Sequence, residues 1–184
     1  MDERTRFEDV VRNSYMGVVW THKIQEKQTD IFSSEAKTLE IIRLVSSSLT
    51  AAGVISLIFE SNALWLKIAT AVVSFVTIFS EAYSKSLTTQ TAIDSHRKTA
   101  AQLLELRDGY QYLLLQNKDE SCSLDSIKAD YEKLEKRKHT LYKEAPRTTD
   151  RAVKLAKKSL NVNEDNSFSN AEIDNTLPET LRKE

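Results

Sequence analysis

The stretch "LVSSSLTAAGVISLIFESNALWLKIATAVVSFVTIF" at residues 44–79 decides which fold class the chain can adopt. Sixteen uncharged residues lie between Arg43 and Glu60, and thirteen lie between Lys67 and Glu81. At about 1.5 Å per helical residue these runs measure roughly 24 and 20 Å, which is short of a bilayer core of about 30 Å. The stretch therefore forms either the core of a soluble helical bundle or a hairpin that crosses a membrane twice.

The two apolar runs are long enough to cross a membrane if Arg43 and Lys67 lie near the span ends. A long basic side chain can hold its charge at the interface while its stem stays in the lipid. The spans then cover about 41–59 and 63–82, which is nineteen and twenty residues. Because the connection "ESNA" at 60–63 is short, the two helices should lie antiparallel.

The hydroxyl content of the first run supports the soluble alternative. Each central aliphatic residue favours membrane insertion by only about 0.3 to 0.6 kcal/mol, so a high density of hydroxyl side chains leaves a thin margin. These side chains are Ser46, Ser47, Ser48, Thr50 and Ser56.

Three other features favour the membrane hairpin. Ser48, Ala52 and Ser56 recur at every fourth position, the spacing of small residues that lets membrane helices pack closely. Trp65 and Tyr83 lie at opposite ends of the second run, as the aromatic belts of a membrane protein do. No charged side chain interrupts the centre of that run, so a soluble helix there would lack a polar face.

The basic residues around the hairpin predict its orientation. The tip carries Lys67, whereas the two long flanks are richer in basic residues. Those nearest the hairpin are Lys27, Lys37, Arg43, Lys85, Arg97 and Lys98. The positive-inside rule then places both flanks in the cytosol. We interpret the chain as a two-span protein whose bulk is cytosolic.

The rest of the chain has the composition of long helices, and we predict an all-α fold. No proline precedes Pro146, and strand signals are missing. A first amphipathic helix is predicted over about 3–26. Ser33 or Ser34 is a predicted N-cap for a second helix that continues through Phe59.

Two further helices are predicted after the tip of the hairpin. Nothing obvious ends the third helix, which should run from Ala63 to about Gln116 and whose apolar face includes Leu103, Leu106 and Tyr110. A fourth helix should pack back on it, with Lys138 on the same seam. The apolar positions of that seam are Leu124, Ile127, Tyr131, Leu134 and Leu141.

Pro146 should end the fourth helix, after which Thr148 or Thr149 can cap a short basic helix, "DRAVKLAKKSL". The polar segment that follows indicates a linker, and the C-terminal end is either a docking peptide or a frayed tail. The predicted divisions are an N-terminal amphipathic helix at 1–33, the hairpin at 34–82, a cytosolic helical region at 83–160, and the linker and tail at 161–184.

The sequence offers little support for catalysis or for a bound cofactor. The formal charge is -1, and Cys122 is the one cysteine. His22, His96 and His139 lie on three predicted helices without the short spacing of a zinc site, so we expect no metal. No phosphate-binding glycine loop or nucleophile elbow occurs, and we expect neither an enzyme nor a cofactor. His22 and His96 should instead be partly buried where the first and third helices meet.

The basic stretch at 133–158 has three interpretations. It contains ten Lys or Arg residues against three acidic ones. It forms a solvated helix face, a contact with anionic lipid headgroups, or a site for a nucleotide or a partner protein. It lacks the interleaved aromatic residues that stack bases, so nucleic acid is not expected as a partner.

A stripe of polar residues on the second apolar run also has two interpretations. Thr70, Ser74, Thr77 and Glu81 stand at i, i+4, i+7 and i+11, which places them on one face of a helix. The hydroxyls either bond the carbonyl four residues back or line a conductive path in a homo-oligomer. In such an oligomer Glu81 would form an acidic ring that favours cations.

The order of these features resembles the SLATT family of two-transmembrane effector domains over roughly residues 5–160. The segments that carry the resemblance are "NSYMGVVWTHKIQEK" at 13–27, "TAIDSHRKTAAQLLELRDGY" at 91–110 and "LYKEAPRTT" at 141–149. The family-matched cytosolic positions are Tyr15, His22, His96 and Arg107.

The resemblance implies a membrane effector that forms pores or disrupts the membrane in a prokaryotic antiphage system. It would lie in the inner membrane, contact lipids, and respond to a separate nucleotide-sensing or nucleotidyltransferase partner. The competing hypothesis is a non-enzymatic helical scaffold, soluble or tethered to a membrane.

Overall fold

A computed structural model describes residues 2–59, 64–86, 89–163 and 169–176. Every regular element within these ranges is an α-helix, so the all-α prediction is confirmed. In chain order the helices are α1 (Glu3–Phe59), α2 (Leu64–Ser86), α3 (Thr89–Lys118), α4 (Leu124–Glu144), α5 (Asp150–Asn161) and α6 (Asn170–Thr176).

Helix α1 is continuous over 57 residues, which corresponds to about 86 Å. The predicted helix start at Ser33 or Ser34 is therefore wrong, because both residues lie inside α1. Tertiary packing explains the continuity. Ile31 is buried, and the ring of Phe32 lies 5.5 Å from that of His96 on α3, so this part of α1 has a face to bury.

The predicted third helix corresponds to α2 and α3 together. Residues 87–88 between them lie outside the described ranges, so the prediction of one unbroken helix stays a prediction. The start near residue 63 and the end near Gln116 agree with the outer bounds of α2 and α3 within two residues.

Contacts between distant residues give the direction of each helix. Arg4 donates to the carbonyl oxygen of Asn117 at 3.1 Å, so α3 runs antiparallel to α1. Near its start α4 pairs Lys128 with Glu3 at 2.6 Å, and near its end Tyr142 donates to the carbonyl of Gly17 at 3.2 Å. Helix α4 therefore runs in the same direction as α1.

A helical core joins the N-terminal half of α1 to α3 and α4. The predicted seam between α3 and α4 is confirmed, since Leu106 and Tyr110 are fully buried and the Tyr110 and Tyr131 ring centroids lie 6.1 Å apart. Burying one leucine in such a core contributes about 2 kcal/mol. The buried cluster is Val11, Val18, Leu103, Leu106, Tyr110, Leu113, Ile127 and Leu141.

The predicted boundary between α4 and α5 is confirmed. Helix α4 ends at Glu144, just before Pro146, and the side chain of Thr149 accepts a hydrogen bond from the Ala152 amide at 3.3 Å. Thr149 rather than Thr148 is therefore the cap. The predicted linker contains part of α6, and the last eight residues of the predicted tail lie outside the described residues.

Two described helices are long and apolar enough to cross a membrane: α1 through its C-terminal half, and α2. In each of them only 6% of the most apolar window is buried within the chain. Core helices of a soluble protein bury most of such a window, so the exposure favours candidate membrane spans. Leu44, Leu49, Ile55, Phe75 and Phe79 are among the large apolar side chains exposed there.

Candidate functional site

Within the hairpin, α1 and α2 approach each other through small and hydroxyl-bearing residues. On α1, Ser46 is buried and Thr50 and Gly53 are half-buried, at i, i+4 and i+7. A Cβ atom added at Gly53 would overlap the side chain of Thr70 on α2. Glycine is thus required at this close approach, as at many contacts between membrane helices.

One side of the hairpin carries a groove lined by hydroxyl groups from both helices. Its volume is about 390 Å³. The hydroxyl of Ser74 lies 3.5 Å from that of Thr50, at the outer limit of a hydrogen bond, and joins the two walls. The residues that line this hydroxyl groove are Ser47, Thr50, Ala51, Ser74, Thr77 and Ile78.

The other side of the hairpin carries a groove of about 330 Å³ whose lining is aliphatic apart from one serine. That serine, Ser46, donates to the carbonyl of Ile42 at 2.7 Å, so its hydroxyl is satisfied within α1. The lining residues are Ile41, Ile42, Val45, Ser46, Leu49, Val73 and Val76. The hairpin therefore has one hydroxyl-bearing side and one apolar side.

The predicted polar stripe of α2 lies partly against α1. Thr70, Ser74 and Thr77 are half-buried, and Glu81 is exposed. Ser74 donates to the carbonyl of Thr70 at 2.8 Å, and Thr77 to that of Val73 at 3.1 Å. The bonding to carbonyls four residues back is therefore present for these two hydroxyls, and Ser74 and Thr77 also line the hydroxyl groove.

The predicted small-residue stripe of α1 does not form the contact with α2. Ser48, Ala52 and Ser56 are exposed. The two serines donate to carbonyls of their own helix, each at 2.9 Å. Any packing role of this stripe would have to be between chains, and it stays a prediction.

A polar network lies inside the helical core, where α1, α3 and α4 meet. The carboxylate of Glu135 accepts from Ser14 at 2.7 Å, from Tyr110 at 2.8 Å and from Lys138 at 2.6 Å. The Lys138 ammonium also lies 5.8 Å from the centroid of the Tyr110 ring. One carboxylate thus holds together side chains from three helices, as charge-assisted hydrogen bonds do well.

This network lowers the pKa of Glu135 and raises the pKa of Tyr110. Burial alone would raise the pKa of Glu135, but the hydrogen bonds from Lys138, Ser14 and Tyr110 outweigh it and lower the pKa to about 2. Burial, together with the hydrogen bond to Glu135, raises the pKa of Tyr110. The carboxylate is therefore ionised and the phenol neutral at physiological pH.

His22 and His96 both connect α1 to α3, as predicted. The Nδ1 of His22 donates to the carbonyl of Ala100 at 2.9 Å. The Nδ1 of His96 donates to the side-chain oxygen of Gln25. His96 is only 2% exposed, and burial lowers the pKa of its imidazole, which favours the neutral form. Both histidines position helices.

Gln25 and Gln28 were not predicted from the sequence, yet they fasten the start of α5 to α1. Gln25 donates to the carbonyl of Pro146 at 3.2 Å. The side-chain oxygen of Gln28 accepts from both the amide and the hydroxyl of Thr149, each at 2.8 Å. In the sequence, these are two glutamines three positions apart beside the apolar stripe of α1. Such a pattern does not by itself identify the residues that they bind.

The other family-matched positions have different surroundings. Tyr15 packs against the buried cluster. Arg107 pairs with its neighbour Asp108 at 2.8 Å on the surface of α3. Within the described residues no group of three or more His, Cys, Asp or Glu side chains is placed to hold a metal ion.

A family model described as "SMODS and SLOG-associating 2TM effector domain family 4" matches residues 7–172. The chain belongs to this family. The match covers both candidate spans and the helices α3, α4 and α5 and confirms the resemblance to SLATT domains. The family name describes an effector domain with two transmembrane segments, and α1 and α2 supply two candidate segments. Comparisons with curated proteins and with solved structures gave no match.

Proposed function

We propose that this SLATT-family chain is a pore-forming effector of the prokaryotic inner membrane. The observation that carries the proposal is the groove between α1 and α2, which places hydroxyl-bearing residues of both helices side by side on a hairpin whose large apolar side chains are mostly exposed. In an assembly of several copies this groove faces a conductive path. Hydroxyl groups can replace part of the hydration of a passing ion, which aliphatic side chains cannot.

The proposal requires a homo-oligomer, because two helices cannot enclose a water-filled path. The two different sides of the hairpin support such an arrangement. The aliphatic groove would face lipid or a neighbouring copy, and the hydroxyl groove would face the centre. Glu81, exposed on the same helix as Ser74 and Thr77, would add an acidic ring near the cytosolic end, which favours cations.

We further propose that the trigger comes from a separate nucleotide-sensing or nucleotidyltransferase partner in an antiphage system. The association with SMODS and SLOG in the family name supports this step. The cytosolic helices α3, α4 and α5 offer the surface for such a partner. Since α3 and α5 pack on α1, a partner bound to them would act on the same helix that enters the membrane.

The test is expression of the parent and of variants from an inducible promoter in bacterial cells. The parent should arrest growth and admit a membrane-impermeant dye. Ser74→Leu combined with Glu81→Gln should suppress dye entry, because it removes a groove hydroxyl and the acidic ring. Val72→Leu is the control, since Val72 is exposed on α2 and lines neither groove, and it should leave dye entry unchanged.

Carbonate-washed membranes provide the check on insertion. All variants should stay in the membrane fraction. A double variant as toxic as the parent would show that this groove does not line the path. Recovery of the parent in the cytosolic fraction would instead support the helical scaffold and overturn the effector proposal.

A further inference from the structure

Helix α5 leads from the helical core toward the start of the first candidate span. Its contacts with α1 advance in chain order. Pro146 is bonded by Gln25, Thr149 by Gln28, and the Arg151 guanidinium lies 3.8 Å from the carboxylate of Glu35. Helix α5 therefore runs in the same direction as α1.

The length of α5 brings its last turn to the level of the membrane boundary. Its 12 residues correspond to about 18 Å. From Gln28, where α5 begins, to Ile41, where the first span is predicted to start, α1 rises about 20 Å. Ser159 in the last full turn is still buried, so α5 stays packed to that end.

The two faces of α5 differ sharply in chemistry. The buried face consists of Ala152, Ala156 and Ser159, whose small side chains allow close packing on α1. The exposed side chains of α5 include those of Leu155 and of three lysines, Lys154, Lys157 and Lys158, and the exposed Val162 follows directly after the helix. Leu155 is 38% exposed, and Val162, directly after the helix, is 71% exposed.

The charges on the described residues around this face leave it basic. Glu35 is matched by Arg151, and Asp150 lies at the far end of α5. The exposed Glu40 of α1 is accompanied by Lys37 and Arg43, which are also exposed. The three lysines of α5 are therefore not neutralised by the surrounding helix.

We propose that this face of α5 binds anionic lipid headgroups at the cytosolic surface of the membrane. The proposal rests on the membrane location proposed for α1 and α2. Each lysine held near an anionic surface strengthens the attraction about fivefold, so three lysines together supply about a hundredfold. Leu155 and Val162 enter the headgroup region beside them, in the manner of an interfacial amphipathic helix.

A lipid surface fits this face better than a soluble phosphate compound. Nucleotide sites are concave and close around the ligand, whereas the lysines lie on the outer, convex side of a packed helix. The exposed leucine and valine favour an apolar boundary next to the charges. Both properties are met by the surface of an anionic bilayer.

The test measures the exposure of the C-terminal end of α5 in nanodiscs. Cys122→Ser removes the one cysteine, and Val162→Cys then accepts an environment-sensitive fluorophore. The full chain is placed in discs of phosphatidylcholine alone or mixed with phosphatidylglycerol. Acrylamide, a neutral quencher, should quench the fluorophore clearly less in the anionic discs.

Only substitutions in α5 should abolish the difference in quenching between the two kinds of disc. Lys154→Gln, Lys157→Gln and Lys158→Gln together should make quenching equal in the two kinds of disc. The matched control is Lys133→Gln, Lys136→Gln and Lys143→Gln, three exposed lysines of α4. By the rise of α1, these three lysines lie about 30 Å or more from the start of the predicted span. This distance exceeds a Debye length of about 8 Å, so the difference in quenching between the two kinds of disc should persist in the control.

Salt gives a second readout that requires no substitution at the face. At about 1 M ionic strength, where the Debye length is about 3 Å, the difference between the discs should disappear. Equal quenching of the parent in both discs at low salt overturns the lipid contact. So does a difference that survives in the α5 triple variant, or protection produced by free ATP in phosphatidylcholine discs.

The outcomes separate this inference from the proposed function. A parent that enters nanodiscs and resists carbonate extraction, but shows no dependence on phosphatidylglycerol, contradicts the role of α5 alone. A parent that does not enter the discs contradicts the membrane location and therefore both proposals.

Discussion

At the scale of single residues, Glu135 shows how one buried charge can join three helices. Its side chain is 19% exposed, and its partners Ser14, Tyr110 and Lys138 come from α1, α3 and α4. Removing one member of such a network leaves the others without their partner, which costs more than the loss of a single exposed ion pair.

Glu135→Gln should lower the stability of the chain in a pH-dependent manner. Since the folded state lowers the pKa of Glu135 to about 2, its stabilising effect is full above the unfolded pKa near 4.5 and is lost as the pH falls toward 2. We expect a cost of about 2 kcal/mol at pH 7 and a much smaller one near pH 2.5. Thermal unfolding in detergent across this range measures it.

Glu132→Gln on the exposed side of α4 is the control for this prediction, and its pH dependence should match that of the parent. If Glu135→Gln loses the same stability at pH 7 and at pH 2.5, the ionised carboxylate does not hold the network together.

Gly53→Ala should weaken the packing of the hairpin, because the new methyl group would overlap Thr70. At Gly17 the nearest atom to an added Cβ is the Tyr142 hydroxyl at 4.0 Å, so Gly17→Ala meets no obstacle. Alanine favours a helix over glycine by about 1 kcal/mol, so Gly17→Ala should keep or raise the melting temperature while Gly53→Ala lowers it. Equal melting temperatures for the two variants would contradict the close approach.

Some residue positions could be predicted from the sequence and others could not. His22 and His96 were expected where the first and third helices meet, because each stands beside an apolar face, and both lie there. The hydrogen bonds that join Ser14 to Glu135, Gln25 to Pro146 and Gln28 to Thr149 each span 121 residues of the chain. Periodicity identifies the buried side of a helix but not the group that meets a polar residue on it.

At the scale of helices, the sequence signals predict a break in α1 that the structure does not contain. Ser33 and Ser34 with Glu35 make a plausible N-cap, but the signal is local. It competes with the burial of Ile31 and the packing of Phe32 on His96 just before it. The boundary of α4 and α5 was predicted correctly because Pro146 excludes a continuing helix whatever packs nearby.

Glu35→Pro distinguishes the two descriptions of this region. If a helix began after Ser34, position 35 would be its first residue, where proline is well tolerated. In a continuous α1 the proline removes a backbone hydrogen bond and should cost about 3 kcal/mol or more. We expect a clearly lower melting temperature for Glu35→Pro and little change for Glu35→Ala, whose lost contact with Arg151 is exposed. An unchanged melting temperature for Glu35→Pro would instead support a separate helix that begins after Ser34.

At the scale of the whole molecule, a helical bundle and an apolar hairpin share one helix, α1. The overall class and the two apolar spans could be predicted because composition and charge are summed over many residues. The two-sided character of the hairpin could not, since it depends on how α1 and α2 are rotated about their axes. The contacts of Gly53 with Thr70 and of Thr50 with Ser74 reveal that rotation.

The orientation of the molecule is predicted from its basic flanks. A reporter that is active only outside the cytosol should be inactive when fused after Glu184 and active when inserted at Asn62. A cytosolic reporter at the same two positions should give the opposite pattern, which controls for expression. Activity of the first reporter at the C-terminus would contradict two cytosolic ends.

The unbroken course of α1 joins the helical bundle to the first candidate span as one continuous rod. About 57 Å of helix lies between Glu3 and the start of the first predicted span. Its backbone hydrogen bonds leave no hinge in which a twist or an axial shift could be absorbed. A shift of one helical turn at Ser14 would carry Thr50 and Gly53 about 5.4 Å past α2 and realign both grooves at once.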